Sequence, residues 1–169
     1  MKKSILVSML VLGTALFATD SNHKMQNMNH NQHSINSTTK VNPNIPQDAR
    51  CAVCGMYVAK YQRWASYIKT NNKTYYFDGP KDMMRFYANP TKFDKNANLE
   101  KAIIKVTDYY TLEEIDAKNA FYVTHSEIFG PMGDKFAPFK TKESANKFLK
   151  EHFGEAILSF DEIQNKFMK

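Results

Sequence analysis

The chain has 169 residues, of which 43% are hydrophobic and 13% aromatic, and its formal net charge is +6. That composition supports a real core rich in Phe and Tyr. The mild positive excess contains no Lys/Arg block long enough for a phosphate-binding stripe, which excludes nucleic acid as the partner.

Lys2-Lys3 is a short basic region, Ile5 to Leu16 is an apolar run, and Ala18 is a fitting cleavage position. Residues 1–18 therefore read as a secretory signal peptide, and the expected location is periplasmic. No cysteine follows the apolar run to carry a lipid, and no later segment approaches the roughly 18 apolar residues of a membrane span. The expectation is a soluble mature protein with no stable membrane anchor.

Residues 19–46 are polar and low in complexity, with too little apolar area to offset their ordering entropy, so disorder is expected there. This tail holds His23, Met25, Met28, His30 and His33. Thioether sulfur suits Cu(I) and imidazole suits copper among other metals, so the tail is a candidate for metal collection. An ordinary flexible leader is the plainer alternative.

The folded part is expected over 47–169. Trp64 to Thr70 alternates and reads as a strand, Asn71-Asn72 as a turn, and Lys73 to Phe77 as the returning strand of a hairpin. Pro80 opens a helix to about Ala88, where Asn89-Pro90 ends it. Within that helix Met83 and Met84 read as core filler. Ala102 to Asp108 is a third strand, rich in β-branched residues. Ala120 to Thr124 and Lys135 to Phe139 read as strands on either side of a Gly-rich loop. Thr141 caps a helix to about Phe153, with Gly154 at its end. Ala156 to Phe160 reads as a closing strand, and Asp161 opens a short terminal helix.

The two halves overlay. Phe77 precedes Phe86 by nine positions and Phe139 precedes Phe148 by nine, each pair straddling a strand-to-helix turn. The fold class expected is α+β, two small ββαβ-type units over about 57–110 and 118–163 that pack together to share their apolar faces.

The sharpest chemical signal is Cys51-Ala52-Val53-Cys54-Gly55-Met56. A CxxC bridge closes too short a loop to be a useful staple, so chemistry at sulfur explains the spacing better. Two thiolates and a thioether within six residues suit Cu(I), for which two or three soft ligands suffice. Zinc usually takes four ligands, and only His125 and His152 stand ready in the folded part to complete such a set. The CxxC also fits redox exchange, although it lacks the strand-to-helix setting of thioredoxin-like sites. The second signal is Gly130-Pro131-Met132-Gly133. A Met between glycines has no obvious packing role, which makes Met132 a candidate ligand. His125 and Asp108 are further candidates, with a surface histidine and a strand-ending turn residue as their plain readings. Nothing assembles a catalytic constellation, so the chain reads as a non-enzyme.

From Cys51 to Ile163 the chain resembles the NosL family of nitrous oxide reductase accessory proteins. The resemblance is carried, in the family's order, by Cys54-Gly55-Met56, Val106-Thr107-Asp108-Tyr109, Asp116-Ala117, Phe121-Tyr122-Val123, Gly130-Pro131-Met132-Gly133, Pro138-Phe139 and Phe160-Asp161-Glu162. It implies a Cu(I) chaperone that passes copper to nitrous oxide reductase maturation through an ABC-type membrane complex and its periplasmic component. It also implies paired ββαβ units related to an organomercurial lyase. The family's Cys-Gly-Met positions fall on Cys54, Gly55 and Met56, and its later loop on Met132. The chain departs from the family in lacking the lipid-bearing cysteine, in the extra Cys51, and in His125, which stands where many relatives have a small residue. Two other functions stay open on the residues alone: a periplasmic CxxC thiol–disulfide oxidoreductase and a structural zinc module for protein contacts.

Overall fold

The computed structural model describes Asn42 and residues 44–168. The signal segment and the tail residues His23, Met25, Met28, His30 and His33 lie outside the described residues. Among the described residues no helix is long and apolar enough to cross a membrane.

The first half begins with a hairpin. Strands β1 (Ser66–Lys69) and β2 (Thr74–Phe77) pair antiparallel. Their turn is closed by the Thr70 hydroxyl, which accepts from the Asn72 and Lys73 N–H groups. Helix α1 (Pro80–Ala88) follows, with Pro80 at a position whose N–H has no intrahelical partner to lose. A short α2 (Pro90–Phe93) comes after the break at Asn89. The chain then returns as β3 (Ile103–Thr107) on the far side of β1. A strand not expected from the sequence, β4 (Glu114–Asp116), extends the sheet to the order β2-β1-β3-β4. Its three residues are too few for alternation to register.

The second half repeats the plan. Strands β5 (Phe121–Thr124) and β6 (Phe136–Phe139) pair antiparallel, α3 (Lys142–Glu151) crosses over, and β7 (Ala156–Leu158) pairs on the other side of β5. The sheet order is β6-β5-β7. In both halves the first strand lies between the second and the third, so the helix connects two flanking strands that run parallel to each other. That is a split βαβ crossover, and it leaves one sheet face for the helix to cover. Pro138 sits on the edge strand β6, where a missing N–H removes no central ladder bond.

The nine-residue Phe spacing is a packing contact in each unit. Phe77 and Phe86 have ring centroids 5.3 Å apart, and Phe139 and Phe148 are 5.0 Å apart. Strand end and helix middle thus meet over the turn that joins them. The larger core gathers Ile68, Phe77, Met83, Met84, Phe86, Val106, Tyr122 and Phe160; the smaller gathers Trp64, Val123, Phe139 and Phe148. Met83 and Met84 are fully buried, as core filler should be. The two sheets meet where the Tyr109 N–H donates to the Pro138 carbonyl at 2.9 Å.

Strand ends shift by one or two residues from the sequence reading, and three further boundaries differ for a physical reason. The closing strand stops at Leu158, not Phe160, because Ser159 and Glu162 form a reciprocal capping box that starts α4 (Phe160–Phe167). Helix α3 ends at Glu151, not Phe153, and Phe153 adopts a left-handed φ of 52° just before Gly154. Ile45, on the tail side of the boundary expected at residue 47, is buried at 3% exposure. A large aliphatic side chain gains by burial wherever a core is there to receive it.

Candidate metal centre

The cysteines stand on a tight turn that leads toward the first sheet. Arg50 and Tyr57 pair antiparallel across it, the Cys51 N–H donates to the Met56 carbonyl at 2.8 Å, and the Gly55 N–H donates to the Cys51 carbonyl at 2.9 Å. Gly55 holds φ at +78°, the left-handed region that glycine enters without steric cost. The Arg50 guanidinium lies 3.4 Å from the centre of the Tyr57 ring and donates to the Gly55 carbonyl, bracing the turn from outside. The Ala52 N–H donates to the Tyr76 carbonyl at 2.9 Å, which docks the turn on β2. The Cys54 N–H points at the Cys51 sulfur, 3.5 Å away.

Because the turn docks on β2, the residues that follow β2 arrive beside the thiols. Asp78 directly follows that strand and Asp82 lies in the first turn of α1; both are buried. The Cys54 thiol donates to Asp78 Oδ2 at 3.3 Å and the Cys51 thiol to Asp82 Oδ2 at 3.5 Å. The other oxygen of Asp82 accepts from Arg85 Nη1 at 3.0 Å. One ligand atom from each of Cys51, Cys54, Asp78 and Asp82 lies within 4.8 Å of the other three. Sequence reasoning missed both aspartates. Their spacing of four at a helix start was visible, but it reads first as helix-end chemistry, since carboxylates favour the N-terminal turn.

Burial pushes the Cys51 thiol far above its ordinary range, against the N–H groups of Cys54, Asp78 and Val53, which favour the thiolate. Burial also raises the Cys54 thiol, and the carboxylates of Asp78 and Asp82 add to the rise. Without metal both sulfurs therefore hold their protons at neutral pH. The constellation can exchange those protons for a soft cation at two converging sulfurs.

The other candidates fall at different distances from this pair. Met56 is half-buried beside Cys54 at the mouth of the turn. Met132 is 61% exposed and sits at φ 51°, ψ 30°, a left-handed conformation unusual for a side-chain-bearing residue. Its loop is fastened to the start of α1: Lys81 Nζ donates to the Met132 carbonyl, and the Lys81 N–H donates to Asp134 Oδ2 at 2.7 Å. Gly79 makes this approach feasible, since a Cβ there would stand 2.3 Å from Asp134 Oδ2. Burial pushes the Asp134 carboxyl up to about 7, opposed by the N–H groups of Lys81 and Phe136.

His125 is not among the groups around the cysteines. Its ring lies against Phe167, with Nδ1 3.4 Å from the Glu155 carboxylate. Asp108 is buried and gives both oxygens to local donors: Oδ1 accepts from the Tyr110 and Thr111 N–H groups, and Oδ2 accepts from the Lys140 N–H at 2.7 Å. It organises the turn after β3 and ties it to the start of α3. His152, the remaining imidazole considered for a zinc set, packs on Phe148 and faces Glu127 at 3.2 Å.

The fold is shared with a solved protein. The crystal structure of the copper chaperone NosL from Shewanella denitrificans matches with a TM-score of 0.58 and 23% identity, covering 70% of this chain and 92% of that one. Among curated proteins none matches. The NosL family model matches residues 42–168, which takes in both ββαβ units and the CxxC turn that precedes them. The chain belongs to the NosL family.

Proposed function

We propose that this chain is a periplasmic Cu(I) carrier for nitrous oxide reductase maturation and not an enzyme. Cys51 and Cys54 are its sulfur ligands, Met56 and Met132 its thioether candidates, and an ABC-type membrane complex with its periplasmic component its receiver. The observation that carries the reading is the convergence of two protonated thiols, one buried and one half-buried, on one braced turn. Family membership and the copper chaperone with the same fold support it.

The chemistry suits carriage. A Cu(I) bis-thiolate carries a net charge of about −1, and Asp78 and Asp82 border it. Soft sulfur selects the metal, while neighbouring negative charge holds the affinity below what two thiolates alone would give. A carrier has to release as well as bind. Thiol–disulfide exchange is less well served, because it calls for a depressed thiol pKa and both thiols here are raised.

One observation favours a second reading. Asp78 and Asp82 complete four donors with the two cysteines, the number a tetrahedral zinc site uses. The deciding experiment titrates the reduced protein with Cu(I) against a competing chelator, and separately with Zn(II), for the natural sequence and for Cys54→Ser. Tight Cu(I) binding lost in the variant, with weak zinc binding, supports the carrier. Copper binding indifferent to Cys54 overturns it. Zinc bound more tightly than copper moves the zinc reading to the front.

A further inference from the structure

Beside the metal centre, on the other flank of α1, lies an open groove of about 360 Å³. Its rim carries Lys81, Arg85 and Lys92, its apolar surface comes from Phe93, Phe136 and Phe167, and among the described residues no carboxylate side chain lines it. Three cations over an aromatic floor fit a segment that offers both carboxylates and an apolar side chain. One of the cations also reaches the metal centre. Arg85, with its side chain half exposed, holds Asp82 Oδ1 at 3.0 Å, and the opposite oxygen of that carboxylate faces the Cys51 thiol at 3.5 Å.

We infer that this groove is the docking surface for an acidic segment of the protein that receives the metal, and that docking there loosens the metal by drawing Arg85 away from Asp82. The inference rests on the carrier reading for the identity of the receiver and for the loosening of the metal, whereas the preference for an acidic segment rests on the groove lining alone. A carboxylate from the receiver competes with Asp82 for the Arg85 guanidinium. Asp82 then turns an uncompensated negative charge toward the anionic Cu(I) bis-thiolate, which destabilises it. No covalent or redox step is involved. By linkage, whatever factor the docked segment takes from copper affinity, copper takes from the segment's affinity.

The test uses the full mature chain and a fluorescein-labelled hexapeptide of alternating glutamate and leucine, followed by anisotropy. The metal-free protein should bind it with an affinity that falls as salt rises. Lys92→Ala and Arg85→Ala should each weaken that binding by about fivefold or more, and a lysine–leucine control peptide should not bind. Lys92→Ala should leave Cu(I) affinity unchanged, because Lys92 is not among the four residues whose ligand atoms converge at the thiols. Arg85→Ala should lower Cu(I) affinity about fivefold, and copper loading should weaken peptide binding by a similar factor in the natural sequence but not in Arg85→Ala. Peptide binding unaffected by both substitutions, or absent, overturns the docking surface. Binding of anionic phosphatidylglycerol vesicles without peptide binding also overturns it, in favour of a membrane surface. Equal peptide affinity with and without copper overturns the coupling. If the protein binds no Cu(I) at all, the carrier reading fails while the metal-free titration still decides the groove. Circular dichroism of both variants checks that the fold is retained.

Discussion

Asp78 places a carboxylate oxygen 3.3 Å from the sulfur of Cys54. The two residues are 24 positions apart. They meet because the cysteine turn docks on β2 and Asp78 is the residue that directly follows β2. A buried carboxylate so close to a thiol holds the proton on sulfur, and it remains as negative charge beside any metal that displaces that proton.

Asp78→Asn separates the two metal readings. If the carboxylate only borders a Cu(I) bis-thiolate, removing its charge should raise Cu(I) affinity, by roughly three- to tenfold. The same change should lower Zn(II) affinity by at least tenfold if the carboxylate is one of four ligands. Chelator competition with each metal reads both effects on one protein preparation.

Copper loading should release about two protons per metal at neutral pH, one from each thiol. The sign follows from the raised thiols: both hold protons well past neutrality, so metal must displace them, and apparent Cu(I) affinity should rise as pH rises from 6 to 8. Proton release measured in weak buffer checks it. Release of fewer than one proton would remove the two thiols as joint ligands.

Asp134 should make stability depend on pH. Its carboxyl is raised to about 7 in the folded protein, whereas an exposed aspartate titrates near 4. The folded state therefore holds the proton more tightly than the unfolded state between those values. This contribution is full below about pH 4 and is lost as pH rises through 7. Urea unfolding of the natural sequence and of Asp134→Asn across that range should show a decline from this group only in the former. Gly79→Ala should destabilise by about 1–3 kcal/mol at any pH, since its Cβ would collide with the Asp134 carboxylate.

The paired phenylalanines should be equivalent in their two units. Phe86 and Phe148 are both fully buried against the strand-end rings Phe77 and Phe139. Truncation of either to Ala should cost about 3–5 kcal/mol. Chemical denaturation gives the comparison, and a loss below 1 kcal/mol at either site would contradict the shared core design.

The sequence by itself determined the repeated ββαβ plan, the helix start at Pro80 and the cap at Thr141, and the cysteine turn with its glycine. These are local: periodicity, turn chemistry and capping act over a few residues, so they are written in short stretches. The nine-residue Phe spacing is the longest-range feature legible this way, because each pair closes over a single turn. The capping box at Ser159 and Glu162 was equally local, and the apolar run Ala156-Ile157-Leu158 before it, read on through Phe160, obscured the helix start. What the tertiary structure alone decided is which distant side chains share a site. Docking of the cysteine turn on β2 brings Asp78 and Asp82 to the thiols and, through Asp82, links Arg85 and its groove to them. The same packing gives Asp108 to the start of α3 and turns His125 toward Phe167. A carboxylate at a helix start looks the same in sequence whether it caps, pairs or neighbours a metal. Only the position of another strand's end, fixed by burial of the shared core, distinguishes these roles.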